Sequence, residues 1–182
     1  PLRERERDLW RTLGETLRAN GVTGDLGNLY YSLGELERAK VLMEEALAVS
    51  RERHDDAGVG RVIGNLALLH AGLGDHEKAL EMHEESLRLR QGAQDALGVA
   101  RAVANIGSTR LALGDVGGAA QAYEQARTAF EAEGARGELA VVLLELAGLA
   151  AAEGDVVRVE SALERAQALA EASDRAEARA QV

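Results

Sequence analysis

Two Arg-Asn pairs are the residues best placed to do chemistry in this chain of 182 residues: Arg61 with Asn65, and Arg101 with Asn105. Within each pair the members are one helical turn apart, at i and i+4, which puts both side chains on one face of a helix. Asn offers a donor and an acceptor, which suits the backbone of an extended peptide. Arg can hold a carboxylate through two parallel bonds. A plainer reading stands beside this one, in which each Asn bonds a neighbouring helix and each Arg is a solvated face residue. Other groupings fail. The histidines at 54, 70, 76 and 83 form no metal constellation. The chain has no cysteine, which excludes disulfides, thiolate chemistry and zinc on sulfur. No Ser-His-Asp arrangement emerges. The glycine-rich run at 58–64 follows no strand, so it fails the context test for a phosphate-cradling loop. The chain reads as non-enzymatic, without cofactor or metal.

The elements that position these residues are set by a repeat. Gly34-Glu35, Gly74-Asp75, Gly114-Asp115 and Gly154-Asp155 stand at a constant interval of 40 residues. A period of this size marks a stacked helical array rather than one globular core. In the same register come a large apolar residue (Leu26, Leu66, Ile106, Leu146) and a small one after it (Gly27, Ala67, Gly107, Ala147). Later in each copy come Ala39, Ala79, Ala119 or Val159, then Met43, His83, Tyr123 or Leu163, then Ala46, Ser86, Ala126 or Ala166. His83 sits in this recurring slot, and His70 in the earlier slot of Tyr30, so both read as packing residues. Apolar positions at i, i+3, i+4 and i+7 make amphipathic helices before and after each Gly. The Gly closes the first helix in a left-handed conformation and the acid behind it caps the second. The segments RERHDDAG (51–58), RQGAQDALG (90–98) and EAEGARG (131–137) lie between the pairs.

These positions resemble the tetratricopeptide repeat, whose usual period is about 34 residues. The six added residues fall between the pairs and imply longer helices. The resemblance implies an all-α fold: a right-handed superhelix, or α-solenoid, of antiparallel helix pairs. The expected division is 1–18 as the second helix of a preceding repeat, copies at 19–58, 59–98, 99–137 and 138–173, and the start of a further helix at 174–182. Trp10 is expected to pack on the helix of Leu26. A HEAT or armadillo array has a compatible period, but the Leu-Gly, Gly-acid and Ala spacing tells against it.

In the tetratricopeptide fold the first helix of each pair lines a concave face. The resemblance therefore aims Arg61, Asn65, Arg101 and Asn105 into a groove, with Asn28, Tyr31 and Ser108 further along it; at the ends Asp25 and Glu145 replace Asn. Long-period arrays of this kind look like those of kinesin light chain, of peptide-binding cell-polarity adaptors and of large bacterial regulators. The expectation is a protein- or peptide-binding module, the sensor or scaffold array of a larger bacterial regulatory protein. The rivals are a free-standing adaptor and a self-associating scaffold. The net charge of −10 argues against direct nucleic-acid or anionic-membrane partners. No apolar run nears a membrane span, and no leader is visible in PLRERERDLW, so a cytoplasmic location is the default.

Overall fold

The computed structural model describes the backbone at residues 2–180 and side chains at 2–172. The described residues form helices and no strands: α1 (Leu2–Thr12), α2 (Thr16–Ser32), α3 (Leu36–Glu52), α4 (Asp56–Gly72), α5 (His76–Gly92), α6 (Ala96–Ala112), α7 (Val116–Glu133), α8 (Arg136–Glu153) and α9 (Val156–Ala180). They fall into two compact units, Pro1–Asp95 and Ala96–Val182.

What sets the helix lengths is a residue of positive φ at every twentieth position. Gly14, Gly34, His54, Gly74, Gln94, Gly114, Gly134 and Gly154 have φ between 53° and 84°. Each turn carries the same pair of backbone bonds. At Gly34, the Gly34 N–H donates to the Tyr31 carbonyl (3.0 Å) and the Glu35 N–H to that of Tyr30 (2.9 Å). At His54, the His54 N–H donates to Arg51 (3.1 Å) and the Asp55 N–H to Ser50 (3.0 Å). This is the Schellman closure, in which a left-handed residue lets the last carbonyls of a helix find donors. The 40-residue period is therefore two units of 20, each a helix of 17 or 18 residues and a short link.

That corrects the placement of the extra residues. The segments 51–58, 90–98 and 131–137 hold only short links (53–55, 93–95 and 134–135), like those inside a pair, and the added length is helix. The pairs open at Thr16, Asp56, Ala96 and Arg136, two or three residues before the phasing at 19, 59, 99 and 138. α1 occupies the phase of a second helix. α9 runs unbroken to Ala180, through the positions expected to start another helix, and 181–182 lie outside the described residues. Capping by the acids is partial. Asp55, Asp115 and Asp155 accept from the backbone N–H three residues on (2.9, 2.8 and 3.1 Å), whereas Glu35 and Asp75 make no such bond. Asp75 instead meets His70 Nδ1 at 3.3 Å.

Within each pair the recurring small residues sit at the helix crossings. Ala39, Ala79 and Ala119 are fully buried. A side chain at Gly27 would meet Met43, and one at Gly107 would meet the Tyr123 ring at 3.0 Å. In unit 1, Met43 and Ala46 join Val62, Leu66 and Leu69 of α4 in one cluster. In unit 2, Tyr123, Ala126 and Phe130 pack with Leu139, Val142, Leu143 and Leu146 of α8. Leu163 has the same phase as Met43 and Tyr123 yet is 46% exposed, because among the described residues no first helix follows α9 to close over it. Trp10 lies against α2 with the Arg18 guanidinium 4.7 Å from its ring centre, but stays half-buried, and α1 buries no residue. Successive second helices are tied on their exposed sides by Arg11 to Glu45, and with the charges exchanged by Glu131 to Arg165 at 2.5 Å.

His83 is the polar exception in the core. It is 1% exposed, neither ring nitrogen has a partner, and burial pushes its pKa down from 6.5 to about 4. The unfolded chain then binds a proton that the folded chain refuses between these two values, so stability falls as pH drops through that window. At 1.36 kcal/mol per unit this amounts to at most about 3 kcal/mol. Urea titrations at pH 7 and pH 4 should show that loss, and His83→Met, the residue of the same slot at Met43, should reduce it. Separately, His54→Gly and Gln94→Gly should each raise stability by about 1 kcal/mol, since both relieve a left-handed non-glycine residue. Thermal melts of the single variants check this.

Candidate functional site

The first helices α2 and α4 carry the candidate residues of unit 1. Arg61 leaves α4 and lies across α2 at Gly24, where an added side-chain carbon would come within 2.8 Å of its Nη1. The absence of a side chain at Gly24 is what makes room for the guanidinium. Among the described residues no carboxylate pairs with Arg61. One turn on, Asn65 is half-buried and its Nδ2 is fully buried with no acceptor. Two donors, one of them cationic, thus stand unpartnered on adjacent turns of α4.

Tyr31 reaches from α2 across to α4. Its hydroxyl donates to the Leu68 carbonyl at 3.2 Å and would touch any side chain placed at Gly72. It ties α2 to α4, and Gly72 is the space it occupies. Asn28 and Asp25 are exposed on α2.

In unit 2 the counterpart pair is differently placed. Arg101 donates from Nε to Glu138 Oε1 at 3.1 Å, and Nη2 reaches the same oxygen, linking α6 to α8. The bonds from Arg101 hold the Glu138 carboxyl below its usual range. Asn105 is half-buried, its backbone carbonyl accepting from Thr109 Oγ1 at 2.9 Å, and Ser108 is exposed. Burial pushes the Tyr123 phenol up, and the Glu145 carboxylate adds to the shift. The repeat made Arg61 and Arg101 look equivalent. The structure leaves the first without a carboxylate and gives the second one from the next first helix.

Sequence reasoning missed Glu138, Gly24 and Gly72. Glu138 stands 37 positions beyond Arg101, where two first helices in register come side by side, while the same offset from Arg61 falls on Gly98. The signal for the two glycines was their place inside helices, where Gly is disfavoured by about 1 kcal/mol unless something needs the space. No group of three or more His, Cys, Asp or Glu side chains is placed to hold a metal among the described residues. No helix of the described residues is long and apolar enough to cross a membrane.

Residues 15–92 match the family model described as tetratricopeptide repeat. No sequence among the curated proteins matches it. Among solved structures it is similar to BtubC (BKLC) from P. vanneervenii, at 25% identity and a TM-score of 0.70, covering 86% of this chain and 65% of that one. A Rap protein complexed with Competence and Sporulation Factor matches at 16% identity and TM-score 0.77, covering 91% and 52%. Aspartyl phosphate phosphatase F from Bacillus subtilis matches at 12% and 0.78, covering 87% and 42%. The chain thus spans less than two thirds of each of these proteins.

Removing the Tyr31 hydroxyl by Tyr31→Phe should cost about 1 kcal/mol, the net value of one hydrogen bond. A chemical denaturation curve with an unmoved midpoint would show that the α2–α4 tie contributes nothing.

Proposed function

We propose that this tetratricopeptide repeat array is a binding module for another protein or a peptide, and that unit 1 makes the contact through the first-helix face at Arg61 and Asn65. The observation that carries the reading is the pair of unpartnered donors on α4. A buried amide without an acceptor costs roughly 1–3 kcal/mol. A ligand carbonyl or carboxylate arriving there would recover it, and Arg61 would add a charge-assisted bond. Arg101 would contribute less, because Glu138 already neutralises it.

Within this reading the array is the sensor or scaffold segment of a larger, cytoplasmic bacterial regulatory protein, and occupancy of the face relieves autoinhibition of an attached switch. The fold it shares with a Rap protein complexed with Competence and Sporulation Factor supports a ligand-bound array, and its coverage of only 52% of that chain leaves length for other parts. In this reading the module binds and does not catalyse.

The test is capture of partners on the immobilised chain, followed by affinity measurement for the strongest by fluorescence anisotropy. Arg61→Ala with Asn65→Ala should weaken that partner by at least about tenfold, or ~1.4 kcal/mol, with helicity unchanged by circular dichroism. Arg101→Ala should weaken it less. Equal affinity in wild type and the double variant would move the site off α4.

A further inference from the structure

A second polar feature lies elsewhere in unit 1, in the slot enclosed by α1, α2 and α3. The slot is a cavity of about 130 Å³ lined by Arg11, Thr16, Ala19, Asn20, Thr23, Glu45 and Val49. Its floor is Asn20, only 5% exposed. Asn20 Nδ2 donates to the Ala46 carbonyl at 3.1 Å and to Ser50 Oγ at 2.9 Å. Because that carbonyl can only accept, the amide is oriented with Nδ2 toward α3, and Oδ1 is left buried with no partner. Beside it Thr23 Oγ1 gives its proton to the Ala19 carbonyl at 3.0 Å, so its lone pairs also lack a donor. The roof is the Arg11–Glu45 ion pair.

The other copies show that the fold does not ask for this polarity. At the phases of Ala19, Asn20 and Thr23 stand Val59, Gly60 and Ile63 in the second copy, Val99, Ala100 and Val103 in the third, and Leu139, Ala140 and Leu143 in the fourth. At the phase of Ser50 the second copy has Arg90, whose donors are met by Asp95 and Ser86, and the third has Phe130, which is 1% exposed, so the departure in the first copy lies at Asn20 and Thr23. An apolar slot would be cheaper than one with an unpartnered carbonyl oxygen. A core that breaks its own rule in one copy points to a site.

We propose that this slot binds a primary carboxamide group. Asn20 and Thr23 line its floor, and their acceptors Oδ1 and Oγ1, both buried, want N–H donors. Its roof presents the Arg11 guanidinium, which donates to a carbonyl oxygen at the other end of the ligand. The Arg11 and Glu45 charges cancel, so a charged ligand gains too little there to offset the loss of its hydration. At about 130 Å³ the slot has room for a ligand of a few heavy atoms such as acetamide, given that an apolar cavity of about 150 Å³ holds benzene. The carboxamide comes either from a free small amide or from an Asn or Gln side chain of a bound peptide. This site is independent of the one on α4.

The experiment follows saturation transfer from the whole chain to the acetamide methyl, together with the side-chain amide signal of Asn20 in a nitrogen-correlated spectrum. Acetamide should shift that signal saturably at millimolar concentration, while acetate, methylammonium and N,N-dimethylacetamide should not. Asn20→Ala and Thr23→Val, which copy Ala100 and Val103, should abolish the transfer with helicity unchanged. Competition by the peptide Ala-Gln-Ala but not Ala-Glu-Ala would assign the source to a peptide side chain, and its absence to a free amide. A response that never saturates, that dimethylacetamide equals, or that survives both substitutions overturns the proposal and leaves the slot holding water only.

Discussion

The left-handed turn at every twentieth residue is the constraint from which the rest follows. A helix of 17 residues leaves its last carbonyls without donors, and one residue of positive φ lets its own N–H and the next one fold back onto them. Because the same closure recurs within pairs and between them, α2 to α8 all have 17 or 18 residues. Six of the eight turns use Gly, where that backbone conformation is nearly free; His54 and Gln94 hold it despite their side chains. The turn is thus demanded by the stacking, and glycine is its usual but not its necessary occupant.

Equal helices let small residues meet at fixed crossings. Gly27 accommodates Met43 and Gly107 accommodates Tyr123, while the invariably buried alanines hold the axes close. The slot facing those crossings takes Met, His or Tyr by turns, so volume and not chemistry is what the position selects. His83 shows what that tolerance admits, a ring with two polar atoms in a place that offers them nothing. Arg90 is handled otherwise. It reaches Asp95 at 2.8 Å and Ser86 at 3.3 Å, so its charge and donors are met.

Both proposed contacts lie where the copies differ. Arg61 and Arg101 share a phase, yet Glu138 ties the second to α8 while the first rests on Gly24 without a counter-ion. Asn20 departs from three apolar or small counterparts and leaves a buried acceptor beside a cavity. In both places the departure from the repeat produces a hydrogen-bonding group with nothing to bond, and that defines the demand a ligand can meet.

From the order of residues alone came the helix pairs, the 40-residue period and the identity of the crossing residues. These are local matters: periodicity, turn chemistry and side-chain size act between residues close in the chain or repeated in phase. The twenty-residue half-period was legible only in part, in the acids that follow seven of the eight turns, because His54 and Gln94 hide the glycine signal. Which donor stays unpartnered, that Tyr31 ties α2 to α4, and that Asn20 opens a polar slot were decided by tertiary structure alone. Hydrogen bonds and ion pairs depend on separations of a few tenths of an ångström between residues 26 to 37 positions apart. Only the packed helices set those separations.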